Sequence, residues 1–472
     1  MSSSPKSTVI EQHSIDYVPS SERRGKVWHQ APFWFAGNFV LPTMLIGFLG
    51  PQLGVAPVLS VIAIISGVLF GTFFMAFHAN QGPKMGLPQM IQSRAQFGSR
   101  GALVPFIATV FVYVGFLVFD TVLATQAIQT VAPMSELIWY PILIAVSIII
   151  AVVGHDLLHF IQRWLTYFMV AIFAVITVVG VSNFNANPEL TSAGSWDISG
   201  FLVMFALAAG YNISYAVYVS DYTRYLPANV SSKKLIFSVY SGAAFSAIWL
   251  MSLGVAVGAL FPEGDVIAAL QSIGDSVFPG FGQITVIVSA LALISIMGVN
   301  AYGAMLTGTT AVDGFRNVRP TVRLRVIGLS LVGVLSLIIA LALPADYLAS
   351  FNNFVLLMLY FLVPWTAVNL VDFYFVRKGV YSIVDIFKTD GIYGRWGWRG
   401  VTAYFIGLIA MIPFMYSAFY VGPIAEALGG ADLSFLVGLI VSGGVYLLFA
   451  RSLDLPAEKR AAEESARQLA DA

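Results

Sequence analysis

Long apolar runs separated by short polar clusters repeat along almost the whole chain. An α-helix needs ~20 predominantly apolar residues to cross the hydrocarbon of a bilayer, and most of these runs approach or exceed that length. The pattern predicts twelve spans near 32–50, 56–79, 102–130, 137–154, 164–182, 198–219, 236–260, 281–308, 326–343, 349–375, 401–421 and 432–450. Spans three, eight and ten exceed a straight crossing, so we expect them to tilt or to extend beyond the bilayer. The sequence therefore predicts an all-α polytopic membrane protein.

Composition adds several exclusions to this picture. Of the 472 residues, 58% are hydrophobic and 10% are charged, whereas soluble domains carry about 25% charged residues. A net charge of zero argues against a nucleic-acid partner. With no cysteine, the chain has no disulfides, thiol catalysis or thiolate metal sites. Nothing in the sequence indicates a cofactor or an obligatory protein partner, so the expected surroundings are the lipid bilayer and a small-molecule substrate.

The basic residues predict an orientation. All 24 Lys and Arg residues precede span one or follow an even-numbered span, while the segments after odd-numbered spans carry only acidic charge. By the positive-inside rule, both termini are expected in the cytoplasm, with the chain in the cell membrane. The N-terminus lacks an apolar core before residue 31, so no signal peptide is predicted. We expect the first 25 residues to be disordered and the tail to form a short helix or a frayed end.

Two spans contain helix-breaking or polar residues at corresponding depths. Span one has Gly37, Asn38 and Pro42 at its middle, and span six has Gly210 and Asn212. Paired interruptions in two halves of a transporter indicate the substrate site. Gly and Pro are also simply frequent in membrane helices, which is the alternative for either span alone. Two breaks separated by five spans favour an internal repeat.

This repeat divides the chain into five predicted parts. They are a cytoplasmic segment 1–31, a first five-helix repeat 32–182, a second, inverted repeat 198–375, two additional helices in 401–450, and a cytoplasmic tail 451–472.

Span three contains the only acidic residue that the sequence places inside the hydrocarbon, Asp120. An intramembrane carboxyl costs at least ~2.5 kcal/mol on insertion scales, so it indicates function by default. Phe116 lies one turn earlier on the same helix face. The alternative is a protonated Asp120 that bonds a neighbouring helix for structural reasons.

Span eight carries Asn300 and Tyr302, and an amide at this depth can pair with the edge of a heterocycle or with another helix. His78, His155 and His159 fall at span ends without the spacing of metal ligands, so no metal site is predicted. No phosphate-cradling or hydrolase motif occurs either.

Three stretches resemble the nucleobase:cation symporter family 1, and most closely its purine–cytosine permease branch. They are AGNFVLPTMLIGFLGP in span one, GPKMGLPQMIQSRAQFGSRG after span two, and VSDYTRYLP after span six. The pair Gly50-Pro51 and the arrangement Asn300-x-Tyr302 point to the same branch. The resemblance implies the leucine-transporter fold, in which two inverted repeats enclose a central site.

The resemblance also implies a set of substrate-binding residues. The family's span-one site falls on Asn38 and its neighbours, its span-three aromatic on Phe116, and its polar position one turn later on Asp120. The span-six aromatic falls on Tyr215, or on Tyr211 if the register differs by a turn, with Asn212 beside it. Span eight would add Asn300 and Tyr302. Aromatic faces can stack on a planar ring while amides and a carboxyl pair with its edge.

The coupling ion follows from a departure from the family pattern. Sodium-coupled relatives carry a Ser-Thr hydroxyl pair on span eight, and the best register places Gly298 and Val299 there. Neither side chain offers an oxygen, which favours a proton as the coupling ion, with Asp120 as its candidate carrier. The leading hypothesis is therefore import of cytosine or a purine by proton symport. Alternatives are a sodium-coupled symporter of another heterocycle, such as uracil, allantoin, a hydantoin or a thiamine-like ring, and, in a different class, a channel or a membrane enzyme.

Overall fold

The computed structural model describes residues 15–153, 155–262, 265–316, 318 and 321–471. Regular structure in these residues is helical, apart from two isolated bridges that pair Val55 with Ser195 and Tyr416 with Val421. The helices of the predicted spans and of the tail are Gln30–Asn38, Leu41–Gln52, Pro57–Ala79, Leu103–Gln129, Glu136–Val153, His155–Asn185, Ile198–Ser214, Ser232–Leu260, Phe281–Asp313, Val322–Ala342, Tyr347–Val371, Trp398–Met411, Ser434–Ala450 and Leu455–Asp471. The remaining helices are Ser20–Glu22, Val27–His29, Gln81–Met85, Gln89–Gln92, Arg94–Phe97, Pro188–Thr191, Tyr215–Val217, Val219–Thr223, Val266–Asp275, Asp372–Val376, Ile383–Ile386, Ile412–Phe414 and Pro423–Ala427.

The prediction of an all-α polytopic membrane protein is confirmed. Within the described residues, 8 helices are long and apolar enough to cross a membrane, or up to 10 if each bent helix pair is one span. The helices at predicted spans four and eleven, Glu136–Val152 and Trp398–Phe414, are apolar but shorter. The count of twelve spans therefore stays a prediction; the span numbers are kept below as names.

Span one is broken where the sequence predicted. Its two helices, Gln30–Asn38 and Leu41–Gln52, meet at an angle of 57°. Val40 between them is extended, with φ −138° and ψ 160°. Pro42 lies in the first turn of the second helix, where its missing N–H has no helical partner to lose. Proline here starts a helix rather than interrupting one.

Span six breaks later than predicted. Its α-helix runs through Gly210 and Asn212 to Ser214, and the helical geometry is lost only at Tyr218, with φ −139° and ψ 5°. The predicted break at Gly210 and Asn212 is therefore wrong. Gly210 is buried against span ten, where an added Cβ would lie 3.2 Å from the Val355 carbonyl oxygen. Glycine at this position permits close helix packing, which in sequence resembles a break.

The broken spans pack against partners that a repeat would exchange. Span seven packs on the second half of span one, and span two packs on span six. In both contacts the helix backbones approach closely. A Cβ added to Gly254 would lie 2.0 Å from Met44 O, and a Cβ added to Gly71 would lie 2.4 Å from Ala209 O. In a five-span repeat, span one corresponds to span six and span two to span seven. The contact between spans one and seven then corresponds to the contact between spans six and two. The repeat boundaries themselves stay a prediction.

The segments rich in basic residues gather at one end of the bundle, the basic end. The N-terminal segment reaches the loop after span two, where Arg23 Nη1 donates to Pro83 O at 2.8 Å. Ile15 and Val18 are buried there. The expectation of disorder is therefore wrong for residues 15–25, because their apolar side chains and Arg23 find partners in loops distant in sequence. Disorder was also expected for residues 1–14, which lie outside the described residues. The tail forms the helix Leu455–Asp471 at the same end.

Candidate substrate-binding site

The break in span one lies beside span six and joins it through an amide pair. Asn38 Nδ2 donates to Asn212 Oδ1 at 3.2 Å and to Ala243 O of span seven at 3.0 Å. Asn212 Nδ2 donates to Ala208 O, one turn back in its own helix. Both Asn side chains are fully buried. The two residues that mark corresponding depths in the sequence thus meet directly.

Two threonines extend this hydrogen-bond network, and the sequence analysis missed both. Thr43 Oγ1 donates to Asn38 O at 2.6 Å and lies 2.9 Å from the Tyr211 hydroxyl. Thr72 Oγ1 of span two donates to Asn212 Oδ1 at 3.3 Å. Membrane threonines usually bond their own helix. Thr43 follows directly on Pro42, and that position beside a break was the available signal.

Aromatic rings from three spans surround this network. The ring of Phe116 packs edge-on against Tyr211, with centroids 5.6 Å apart, and against Phe354 of span ten at 5.3 Å. Tyr211 and Tyr215 contact each other at 5.8 Å, and the Tyr215 hydroxyl lies 3.5 Å from Gly37 O. Phe116 and Tyr215 each keep 7% of their surface accessible, against 1% for Tyr211. The sequence left Tyr211 and Tyr215 open as alternatives; both lie here, and Tyr215 is the more accessible.

Asp120 and Asn300 form the polar edge of the cluster. Asn300 Nδ2 donates to Asp120 Oδ2 at 3.2 Å, which joins spans three and eight. Asp120 is 1% exposed, and its other oxygen, Oδ1, has no hydrogen-bond partner among the described residues. No Lys or Arg of the described chain forms an ion pair with it within 4.0 Å. A buried carboxyl with a free oxygen can accept a ligand N–H or hold a proton.

Two span-eight residues have neighbours that the sequence did not predict. Tyr302 packs against both the main hydrophobic core and a smaller cluster near the basic end, and the Arg325 guanidinium lies 5.8 Å from its ring centroid. The role of Tyr302 in substrate binding stays a prediction. The span-eight register is also corrected, because a Cβ on Gly298 would face Ser147 O and Ile150 of span four, each at 3.3 Å. Gly298 therefore does not face span one.

The histidines form no metal site within the described residues. His78 is buried and stacks on Trp365 with centroids 4.7 Å apart. The side chains of His155 and His159 lie outside the described residues. The described part of the chain holds no group of three or more His, Cys, Asp or Glu residues that could bind a metal ion.

The assembled cluster is suited to a flat, uncharged ring. Phe116 and Tyr215 offer aromatic faces on which a ring can stack. The Asn300 amide can donate a hydrogen bond to the edge of the ring, and the Asp120 carboxylate can accept one from it. The cluster lies beside a helix break, where backbone groups are free of helical partners. A broken membrane helix beside a buried aromatic and amide site defines the class of secondary transporters.

Comparison with known proteins identifies the family. Residues 17–438 match the family described as "Permease for cytosine/purines, uracil, thiamine, allantoin". YxlA of Bacillus subtilis, provisionally named a purine-cytosine permease, is 36% identical over 93% of this chain and 95% of its own length. The purine-cytosine permease fcyB of Emericella nidulans is 25% identical over 93% and 88%. The chain belongs to this permease family and is a multi-pass membrane transporter, not an enzyme.

Solved structures agree on the fold. Mhp1, a nucleobase-cation-symport-1 family transporter in a closed conformation with bromovinylhydantoin bound, superposes with a TM-score of 0.74 at 16% identity, over 97% of this chain and 100% of Mhp1. The inward-facing conformation of Mhp1 gives 0.73, at 16% identity over 98% of each chain. The expected leucine-transporter-like fold is confirmed.

Proposed function

We propose that the protein imports a nucleobase, cytosine or a purine, by symport with a proton. The observation that carries the proposal is that Phe116 and Tyr215, which both contact Tyr211, are buried in the same bundle interior as the Asp120–Asn300 pair. Nucleobases present a flat face for stacking and an edge of alternating donors and acceptors. The names of the similar permeases support the same substrate class.

The geometry of Asp120 supports a proton as the coupling ion. The carboxyl is buried, its Oδ1 has no partner, and no ion pair to a cation neutralises it in the described chain. An ionised carboxylate without a cationic partner is costly in such surroundings, so a proton or a bound ligand must compensate its charge. Proton loading from one side and release to the other would couple Asp120 to substrate movement.

The direction of transport follows from charge. The basic end carries the N-terminal segment and the C-terminal helix, and we place it in the cytoplasm of the cell by the positive-inside rule. Substrate would then enter from the opposite, acidic end. Labelling single-cysteine variants at each end from outside intact cells tests this orientation.

The test of function is uptake by the purified protein in proteoliposomes. Tritiated cytosine and adenine should accumulate above equilibrium when the exterior is acidic, and a protonophore should abolish the accumulation. Equilibration without accumulation would indicate a channel, and a chemically altered label would indicate an enzyme.

Sodium coupling is the second candidate, and one observation favours it. Ser295 Oγ on span eight is buried without a hydrogen-bond partner in the described part of the chain. Such a hydroxyl could ligate a hard cation. With the register of Gly298 corrected, the missing span-eight oxygens no longer argue against sodium. Replacing sodium by choline at fixed pH separates the candidates, since only sodium coupling would lose uptake, with Ser295→Ala reproducing the loss.

A further inference from the structure

A cavity of about 300 Å³ lies at the acidic end of the bundle, and none of the central-cluster residues lines it. We call it the outer cavity. Its walls come from four separate parts of the chain: Val55 after span one, Asp197 before span six, Asn352 in span ten, and Tyr416 and Asp432 between spans eleven and twelve. A volume near 300 Å³ is the lower limit of typical ligand pockets and suits one small ring system.

The wall from the loop between spans eleven and twelve is fixed by hydrogen bonds. The Tyr360 hydroxyl of span ten bonds the Asp432 carboxylate and also lies 3.2 Å from Tyr416 O. Asp432 accepts further from Tyr416 N at 3.0 Å and Ser434 N at 2.9 Å. These donors satisfy Asp432, so its role is to hold the loop in place. The additional helices thereby contribute a built wall to a cavity shared with both predicted repeats.

The outer cavity is lined by one unpaired acceptor and by carboxylates as well as by hydroxyl groups. Asn352 Oδ1 is buried and has no hydrogen-bond partner in the described residues. Asp197 Oδ1 accepts from Gly200 N at 2.6 Å, and this bond lowers the pKa of the Asp197 carboxyl, which stays ionised. No Lys or Arg lines the outer cavity. The negative charge of Asp197 thus disfavours anions, and Asn352 Oδ1 can accept a hydrogen bond from an uncharged ring that bears an N–H donor.

The outer cavity and the central cluster are both built on spans six and ten. The lining of the outer cavity includes Ala206 and Leu356. Ala206 is one turn before Gly210, and Leu356 is two residues from Phe354, whose ring contacts Phe116 at 5.3 Å. Spans six and ten therefore connect the outer cavity to the central cluster.

We propose that the outer cavity is a second binding site for the transported heterocycle, in which Asn352 Oδ1 accepts a ring N–H. The ligand class rests on the proposed function, while the site rests on the cavity, its fixed wall and its unpaired acceptor.

The absence of native cysteine makes a protection experiment direct. Val203→Cys places a thiol in the outer cavity, and Ser192→Cys places one at the same end on the exposed surface, outside the lining. The rate of maleimide labelling of each full-length protein in nanodiscs is measured with and without cytosine. At cytosine about ten times above its Kd, we expect V203C to label about tenfold more slowly and S192C to be unaffected.

Substitutions at two further positions, made in V203C, show at which site bound cytosine protects the thiol. Phe116→Ala, which impairs the central cluster, should leave the protection of V203C intact. Asn352→Leu should weaken the apparent affinity in that protection about tenfold, and Asn352→Asp, which keeps an acceptor, should restore it. Protection that disappears with F116A and survives N352L would overturn the outer site.

Direct binding of tritiated cytosine separates this failure from failure of the proposed function. Binding to the wild type without protection of V203C overturns the outer site and leaves the function standing. Absence of any binding overturns the proposed substrate class together with the outer site.

Discussion

Asn38 and Asn212 are 174 residues apart in sequence and are joined by a side-chain hydrogen bond of 3.2 Å. The bond connects the break of span one to the intact helix of span six. It places the corresponding parts of the two predicted repeats in direct contact at the centre of the bundle. Thr43 and Thr72 each add a bond to one member of the pair.

This contact predicts coupled effects of mutation. Asn38→Ala and Asn212→Ala each leave a buried polar partner unsatisfied, which costs about 1–3 kcal/mol. In the double variant the loss should be smaller than the sum, with a coupling of about 0.5–1.5 kcal/mol. Thermal unfolding in detergent and initial uptake rates measure it. Asn38→Ala combined with the exposed Asn185→Ala is the additive control, and an additive Asn38–Asn212 pair would contradict the contact.

Asp120→Asn should separate accumulation from exchange. The amide is nearly isosteric and keeps a hydrogen bond to Asn300, so folding and substrate exchange persist. It removes the titratable group, so gradient-driven accumulation is lost. Counterflow and net uptake of cytosine in proteoliposomes measure the two activities. Wild-type accumulation by this variant across about pH 5–8 would remove Asp120 from both proton coupling and substrate binding.

Phe116→Ala should weaken nucleobase binding by about 1–3 kcal/mol, the range found for base–aromatic stacking. Phe116→Trp retains a stacking face and should be tolerated. Equilibrium binding of tritiated cytosine to both variants provides the comparison. An alanine variant with unchanged affinity would place the substrate elsewhere.

Gly47→Ala should disrupt the contact between the second half of span one and span seven. An added Cβ would lie 1.7 Å from the Met251 carbonyl oxygen, so backbone must move. Overpacking typically costs about 1–3 kcal/mol, and here the clash is with rigid backbone. Gly444→Ala is the matched control, because nothing lies within 4 Å of its Cβ position. Equal thermal stability of the two variants would contradict the close packing.

Glu458→Gln should release the C-terminal helix. Arg377 Nε donates to Glu458 Oε2 at 2.6 Å, and Arg377 Nη1 donates to Asp372 Oδ1 at 2.6 Å. Burial acts to lower the pKa of the Arg377 guanidinium, but Asp372, Tyr446 and Glu458 outweigh it and raise the pKa above its ordinary value. Breaking one side of a buried ion pair costs about 3–5 kcal/mol. Limited proteolysis should cut the tail faster in E458Q than in the wild type. The exposed Glu464→Gln is the control, and equal rates in the two variants would show that the Arg377–Glu458 ion pair does not hold the helix.

Several features were predictable from local sequence. Apolar runs predicted the helices because an uninterrupted apolar stretch can satisfy its backbone in a bilayer only as a helix or a closed barrel. Pro42 beside Asn38 predicted the break in span one, since proline cannot continue a helix from the preceding turn. Asp120 stood out because an intramembrane carboxyl is costly.

Other features depended on which helices meet. The sequence could not tell that Gly210 serves close packing against Val355 O while the break lies at Tyr218, because both uses favour glycine. The sequence could not show that Gly298 faces span four either. Successive residues are rotated by about 100° around the helix axis, so an error of one residue in register changes the neighbouring span.

The sequence by itself determined the membrane class, the broken first span and the residues Asn38, Phe116, Asp120 and Asn300 as candidates, because each has a local energetic signature in lipid. Only the tertiary structure decided that Thr43 and Thr72 join them, that Gly298 faces span four, and that Tyr416 lines an outer cavity with Asn352. These relationships arise from contacts between helices distant in sequence, and no local pattern encodes such contacts.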